Sequence, residues 1–255
     1  MDFSDLRDGG APSSWQDRPD GVILEGVVGS RAYGLEKEGS DTDRKGVFLA
    51  PSDEFFGLDP VAETVKNPWS DEELHELGKF CRLALKVNPT ITEILWLGEY
   101  EVQTVLGQEL VELRSAFLSA AYCRNAYFGY ARSQFDKLDD RGDGTFSADL
   151  RPRTAKHARH LARLLVSGFG LWATGELQVR VDAPQWFHDF GDKVADGDLQ
   201  VAEDLLAKYE QMFADTPTVL PAEPDRDRVD AWLRSARARA LQARPATLGD
   251  LVKSR

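Results

Sequence analysis

The chain has 255 residues, a formal net charge of −12 and an apolar fraction of 42%. This length and composition suffice for one large domain or two modest ones, and no apolar run reaches the roughly 18 to 20 residues that a membrane span needs. The negative charge disfavours a broad electrostatic grip on nucleic acid, so any nucleic acid must be held locally. Cys81 and Cys123 lack a partner Cys or clustered His, which indicates neither a disulfide framework nor a zinc site and favours a reducing, cytoplasmic setting without membrane attachment.

Strand signals are confined to the amino-terminal part of the chain. Residues 1–19 lack periodicity and we expect them to form a flexible arm. Two short β-branched runs, at residues 22–28 and 45–50, predict strands. The spacing of apolar residues predicts a helix over 71–87.

Helical patterns dominate the rest of the sequence. Thr90 to Glu93 has the form of a capping box that opens a short helix, with Glu93 as a cap and Trp96 as a packing residue. Further helices are predicted over 104–114, 119–138, 154–174, 199–214 and 228–243, separated by loops that include 139–147 and 216–225. Gly175 is placed to cap the third of these helices. The Arg-rich segment 226–244 is typical of the solvated face of an amphipathic helix.

These elements predict an α/β (α+β) fold. We expect a flexible arm at 1–19, a small mixed-sheet α/β domain at 20–102 and an all-helical carboxyl-terminal domain at 103–255.

The segment from Gly29 to Asp43 carries the strongest chemical signal. Gly29 and Ser30 end a predicted strand and lead into a short helix, which places backbone N–H groups and a hydroxyl where phosphate binds. Asp41 and Asp43 precede the next strand, and side chains two residues apart on extended backbone project to the same face. Mg²⁺ is commonly held by one or two carboxylates together with substrate phosphates. Each motif alone is common, but their order predicts a divalent-metal and nucleoside-triphosphate site.

The same order of motifs resembles the DNA polymerase β-like nucleotidyltransferase superfamily, whose pattern is Gly-Ser followed by Asp-x-Asp. Within it, the chain is similar to the bacterial and phage group of predicted nucleotidyltransferases that includes proteins associated with RNA ligases. Three stretches carry this similarity: Gly29-Ser-Arg-Ala-Tyr-Gly34, Ser40-Asp-Thr-Asp43 and Gly46-Val-Phe48. Weaker agreement extends over about residues 21–181.

The resemblance implies roles for these residues. Gly29 and Ser30 are expected to hold the triphosphate, with Arg31 and Ser40 nearby, and Asp41 and Asp43 are expected to bind Mg²⁺ or Mn²⁺. Tyr33 is expected either to touch phosphate or base or to belong to the core.

A third carboxylate usually completes such a site, and two candidates are adjacent in the sequence. Asp71 is our choice because relatives carry an Asp before a short β-rich stretch at this place, and Glu73 is the competitor. The alternative is that Ser70 to Glu73 forms a capping box at a helix start.

A cationic stripe on the predicted helix 154–174 is the second candidate element. Lys156, His157, His160 and Arg163 repeat at i, i+1, i+4 and i+7, so they line one face that is suited to a triphosphate. The alternative is an ordinary surface of an amphipathic helix.

The resemblance predicts transfer of a nucleoside monophosphate from an NTP to an acceptor hydroxyl. An RNA end or a tRNA is the expected acceptor. The alternatives are nucleotidylation of a protein or small molecule, and a module that senses NTP or metal without turnover.

Overall fold

A five-stranded mixed sheet forms the amino-terminal part of the protein. The computed structural model describes residue 15 and residues 17–139 and 150–243, so most of the expected arm lies outside the described residues. The strands are β1 (Val22–Val28), β2 (Asp43–Phe48), β3 (Thr64–Lys66), β4 (Glu72–Glu76) and β5 (Val102–Gln103). They lie in the order β3-β4-β2-β1-β5, with β2 antiparallel to β1 and parallel to β4.

Short helices follow the strands and cover the sheet. They are α1 (Gly29–Tyr33), α2 (Leu77–Ala84), α3 (Pro89–Thr92) and α4 (Val105–Glu112), with 3-10 turns at Glu54–Phe56, Glu93–Trp96 and Arg114–Phe117. Strand β1 is buried over most of its length, which explains its nearly continuous apolar sequence.

The predicted helix over 71–87 begins too early. Residues Glu72–Glu76 form strand β4, and α2 begins only at Leu77. Glu76 caps α2 by accepting a hydrogen bond from the Gly78 N–H. The helical spacing of Leu74 and Leu77 misled the prediction, because hydrogen bonds to β2 hold this segment extended and override its local preference. The predicted capping box at Ser70 to Glu73 is therefore wrong.

The carboxyl-terminal half consists of helices in the described residues. They are α5 (Ala120–Asp139), α6 (Leu150–Thr174), α7 (Pro184–Ala195), α8 (Gln200–Asp215) and α9 (Arg226–Ala243). Four of these were predicted to within a few residues, and Gly175 caps α6 with a φ of 76° and a hydrogen bond from its N–H to the Leu171 carbonyl. Helix α7 was not predicted. The predicted loop at 139–147 lies almost wholly outside the described residues.

The fold class is confirmed as α+β, with a mixed sheet followed by a helical region. One cluster of buried apolar side chains runs from Ile23 in the sheet to Ala236 in α9. The boundary expected between residues 102 and 103 stays a prediction. Both cysteines are free and buried, and no helix among the described residues is long and apolar enough to span a membrane.

The Arg-rich helix α9 packs against α2 and the 3-10 turn at Arg114–Phe117 rather than presenting only a solvated face. Arg237 donates a hydrogen bond to the buried Glu76 carboxylate at 3.0 Å, and its guanidinium lies 4.1 Å from the centre of the Phe55 ring. Arg239 pairs with Glu109 on α4. The expectation of a solvated face holds for Arg234, which is largely exposed and pairs with Asp230 one turn earlier.

Candidate active site between the sheet and helices α5 and α6

A cavity of about 640 Å³ lies between the end of the sheet that carries Gly29 and Asp43 and helices α5 and α6, a volume typical of small-molecule sites. The sheet side contributes Gly29, Ser30, Tyr33, Leu35, Lys37, Gly39, Ser40, Asp41, Asp43 and Asp71. The helical side contributes Tyr130, Gln134, Lys137, Lys156, His157, Arg159, His160 and Arg163. The cavity thus brings together all the predicted site residues except Arg31.

Gly29 occupies a position that strongly favours glycine. Its φ is 71°, in the left-handed region that L side chains rarely adopt. A Cβ atom at this position would also collide with the carboxylate of Asp43. Strand pairing causes this closeness, because Val28, the residue before Gly29, lies opposite Asp43 in the antiparallel β1–β2 ladder. The glycine therefore lets the turn after β1 approach the first carboxylate of β2.

The carboxylates converge because β2 and β4 are parallel neighbours. Asp43 is the first residue of β2 and Asp71 directly precedes β4, so both lie at the same end of the sheet. The N–H of Arg44 donates to the carbonyl of Asp71 at 2.8 Å, which fixes the two segments side by side. Asp41 lies two residues before Asp43 and faces the same cavity. Asp71 lines the cavity beside Asp43.

The electrostatics of Asp43 reflect this crowding. Burial raises the pKa of its carboxyl, and the charge and hydrogen bond of Asp71 raise it further. The positive charge of Lys156, on the opposite wall, lowers the pKa of Asp43, and the negative charge of Asp41 raises it by a smaller amount. A cation placed among these carboxylates would relieve their repulsion.

Glu73 is directed elsewhere. Its carboxylate accepts a hydrogen bond from Lys45 at 3.1 Å and forms an ion pair with Lys66 at 3.3 Å. It is not among the residues that line the cavity, whereas Asp71 is. The geometry therefore favours Asp71 over Glu73 as the third carboxylate.

The loop between α1 and β2 is held by Arg31. Its guanidinium donates to the carbonyls of Ser40 at 2.8 Å and Asp41 at 3.3 Å. The hydroxyl of Ser40 accepts a hydrogen bond from the Lys37 N–H at 2.8 Å. Arg31 thus contacts the loop that carries Asp41, and it lies outside the set of residues that line the cavity.

The helical wall is cationic, and its histidines are more buried than Lys156 and are held by neighbouring side chains. Lys156 is exposed. His157 makes a 2.9 Å hydrogen bond with Gln134 on α5. His160 packs edge-on against Tyr130, with ring centres 5.2 Å apart. Burial, reinforced by the charge of Arg163, lowers the pKa of His160 to about 3, so this ring is neutral at physiological pH.

Arg163 lies at the floor of the cavity and is 4% exposed. Its guanidinium is 3.9 Å from the centre of the Tyr33 ring and donates to the Glu93 carboxylate at 3.4 Å. The Tyr33 hydroxyl donates to the same carboxylate at 2.7 Å. Glu93, expected to be a helix cap, is therefore the buried partner of these two side chains, and Asn88 is the residue that caps α3.

Sequence reasoning missed several residues of the cavity. Tyr130, Gln134 and Lys137 repeat at i, i+4 and i+7 on α5, a spacing that places them on one helix face. Arg159, on α6, was not among the predicted site residues either. Its buried Nη1 has no hydrogen-bond partner among the described residues, and this leaves a donor beside the cavity.

A divalent cation fits the donor set of this site. Asp41, Asp43 and Asp71 offer only oxygen atoms, which are the ligands that Mg²⁺ and Mn²⁺ prefer. Asp43 and Asp71 lie on neighbouring segments at the same end of the sheet, and both line the cavity. Within the described parts of the chain, no group of three or more Asp, Glu, His or Cys side chains is already close enough to enclose a metal ion. The phosphates of a nucleotide supply further oxygen ligands in sites of this kind.

The mixed sheet, with these motifs at one end of its central strands, agrees with the resemblance to polymerase β-like nucleotidyltransferases. Residues 13–182, about two thirds of the chain, match the model of the RNA repair pathway DNA polymerase beta family, and the chain belongs to that family. The resemblance to polymerase β-like nucleotidyltransferases is thereby confirmed, and membership suggests nucleotidyltransferase chemistry. A search of curated proteins found no significant match.

Proposed function

We propose that the protein is a nucleotidyltransferase that uses Mg²⁺ or Mn²⁺ and transfers a nucleoside monophosphate from an NTP to an acceptor hydroxyl. The observation that carries this proposal is the cavity in which Asp41, Asp43 and Asp71 face the cationic side of α6. Carboxylates on one wall and cations on the other suit a metal-bound triphosphate between them.

The residues have distinct tasks in this proposal. The backbone of Gly29 and the hydroxyl of Ser30 bind the triphosphate, and Lys156 and Arg159 neutralise its charge from the opposite wall. The three aspartates hold the cation, which when bound stabilises charge on the phosphates and on the attacking oxygen. Arg31 acts through the carbonyls of Ser40 and Asp41 by holding the loop in place.

The transfer itself requires positioning more than acid–base chemistry. The acceptor oxygen bonds to the α-phosphorus, the bond to the pyrophosphate oxygen breaks, and pyrophosphate leaves. In this proposal Asp71 accepts a hydrogen bond from the acceptor hydroxyl and takes up its proton as the oxygen–phosphorus bond forms. The neutral His160 shapes the helical wall without adding fixed charge there, and His157 is held by its hydrogen bond with Gln134.

An RNA end or a tRNA is the acceptor we propose. The family description refers to RNA repair. Helix α6 carries Lys and Arg but no Asp or Glu, so it supplies a local cationic surface in a chain of net charge −12. The free, buried cysteines agree with a reducing, cytoplasmic setting.

Two other functions compete with this one. Nucleotidylation of a protein or a small molecule suits the acidic net charge of the chain. A module that binds NTP without turnover would bind it through the same residues, Gly29, Ser30 and Lys156.

A labelling experiment separates these functions. The full chain is incubated with each α-³²P-labelled NTP and Mg²⁺ or Mn²⁺, alone, with tRNA, and with oligoribonucleotides that end in a free or a blocked 3′ hydroxyl. Label transferred to RNA supports the proposal, label on the protein supports nucleotidylation, and tight NTP binding without transfer supports the sensor.

Paired variants test the metal site in the same assay. Asp41→Ala/Asp43→Ala should abolish transfer. Glu203→Ala/Asp204→Ala removes the same number of negative charges from the exposed start of α8 and should leave transfer intact. Transfer that survives the first double substitution would overturn the assignment of the metal site.

A further inference from the structure

A buried polar cluster joins three separate elements at the floor of the cavity. Tyr33 belongs to α1, Glu93 begins a 3-10 turn and Arg163 belongs to α6. Glu93 is 2% exposed and its Oε2 atom accepts hydrogen bonds from both the Tyr33 hydroxyl and the Arg163 guanidinium. The guanidinium also stacks on the Tyr33 ring. The cluster is therefore closed, with each member in contact with the other two.

Stability alone does not account for these groups. Removing a carboxylate and a guanidinium from water costs several kcal/mol per ion on the order-of-magnitude scale, and well-packed apolar side chains often do as well or better at such positions. Apolar packing is available on this part of α6, since Leu161, Leu164 and Leu165 are fully buried. Directional hydrogen bonds, unlike apolar contacts, fix orientation.

The cluster lies where orientation matters for the site. Tyr33 follows Ser30 by three residues in the five-residue helix α1. Arg163 follows Lys156 by seven residues in α6, which is about two helical turns on one face. Glu93 thus connects α1, which begins at Gly29 and Ser30, to α6, which carries Lys156 on the opposite side of the cavity.

We propose that Glu93 is a positioning residue, which sets the separation and orientation of α1 against α6 so that a triphosphate bound at Gly29 and Ser30 meets Lys156. Glu93 does not line the cavity and acts through Tyr33 and Arg163. This inference rests on the proposed function, because it assigns Glu93 a part in holding the nucleotide for transfer.

The test compares two buried glutamates. Glu93→Gln keeps the size of the side chain but removes its charge. Glu76→Gln is the matched control, because Glu76 is 3% exposed and is also bonded to an arginine, Arg237, yet lies outside the cavity. Measurements are kcat and KM for NTP in the labelling assay, Kd for Mg²⁺·NTP by calorimetry, and the melting temperature.

Both variants should melt at lower temperature than the unmodified protein, but only Glu93→Gln should lose activity. We expect kcat to fall by about 10- to 100-fold, since misplacement of reacting groups by about 1 Å has effects of that size. Tyr33→Phe removes one of the two hydrogen bonds to Glu93 and should show a smaller loss in the same direction. It also provides the test if Glu93→Gln does not fold.

Several outcomes overturn the inference. If kcat and KM of Glu93→Gln and Tyr33→Phe match those of Glu76→Gln, the cluster is structural only. If the unmodified protein binds Mg²⁺·NTP but transfers nothing, the proposed function fails, and the positioning role is then decided by Kd alone. A Kd for Glu93→Gln at least tenfold above that of Glu76→Gln supports it, and equal values overturn it. Absence of both binding and transfer in the unmodified protein overturns both.

Discussion

The carboxylate of Asp43 fills the space beside Gly29 that a Cβ atom would need. Gly29 directly follows β1 and Asp43 starts β2, so the turn after β1 and the first carboxylate of β2 are in direct contact. Any side chain at position 29 must displace one of them.

Gly29→Ala should therefore reduce transfer by about 100-fold or more, the scale on which a misplacement of about 1 Å acts. The left-handed backbone adds a stability cost of about 1–2 kcal/mol. Gly175→Ala is the control, because Gly175 has a similar φ of 76° but a Cβ there would meet only Val219 at an ordinary 3.5 Å. It should lose stability and keep activity. Equal activity in the two variants would show that the contact with Asp43 is unimportant.

Asp43→Asn should be inactive but more thermostable than the unmodified protein without metal at pH 7. Burial and the neighbouring Asp71 raise the pKa of Asp43 in the folded state, so keeping this carboxyl ionised costs stability. The gain in melting temperature should shrink as the pH falls into the range where Asp43 binds a proton. Calorimetric scans over pH measure this, and a variant that melts lower than the unmodified protein at pH 7 contradicts it.

Mg²⁺ should raise the melting temperature of the unmodified protein and have a smaller effect on Asp43→Asn. An ion that binds only the folded state stabilises it by mass action, and Asp43 is one of its proposed ligands. Scans with Mg²⁺ and with an equal ionic strength of NaCl separate binding from screening. An equal shift in both proteins would remove Asp43 from the metal site.

His160 should make the protein less stable in acid. Its pKa is lowered from 6.5 to about 3, chiefly by burial, so the unfolded chain takes up a proton between these values and the folded chain does not. Stability from this group is complete above pH 6.5 and is lost as the pH falls towards 3. His160→Gln should flatten the pH dependence of the unfolding free energy by up to about 1.4 kcal/mol per pH unit. Urea titrations at several pH values test this, and an unchanged slope contradicts it.

Arg237→Met should destabilise the protein by about 2 kcal/mol, because the carboxylate of Glu76 is left buried without its cation. Arg234→Met, on the exposed side of the same helix, should change stability by less than about 0.5 kcal/mol. Urea unfolding of both variants gives the comparison. Equal losses would mean that α9 is held by its apolar contacts alone.

Strands β1 and β2 were predictable because their own residues carry the pattern. Strand β4 was not, because Glu72, Glu73 and His75 are poor strand formers and only pairing with β2 holds them extended. Strands β3 and β5 are three and two residues long, too short to show a period.

The candidate site likewise contains residues that could be predicted from the sequence and residues that could not. Gly29, Ser30, Asp41 and Asp43 lie close together in the sequence, so their spacing was visible. Tyr130 and Gln134 come from a helix about a hundred residues later, and only the packing of α5 on α6 brings them to the cavity. The partners of Glu93, Tyr33 and Arg163, lie 60 and 70 residues away, and a local capping pattern therefore suggested the wrong role.

The parallel pairing of β2 with β4 also predicts which changes in chain length the protein tolerates. Asp71 faces Asp43 because Arg44 lies opposite Glu72, and a slip of one residue would turn every side chain of β4 to the other face of the sheet. Extra residues inserted in the exposed stretch 57–60 should leave the pairing unchanged. Deletion of one residue between Lys66 and Asp71 should disturb the pairing of β4 with β2, because this short connection is fixed at both ends by the paired strands β3 and β4. The chain should therefore tolerate changes of length before β3 but hardly any between β3 and β4.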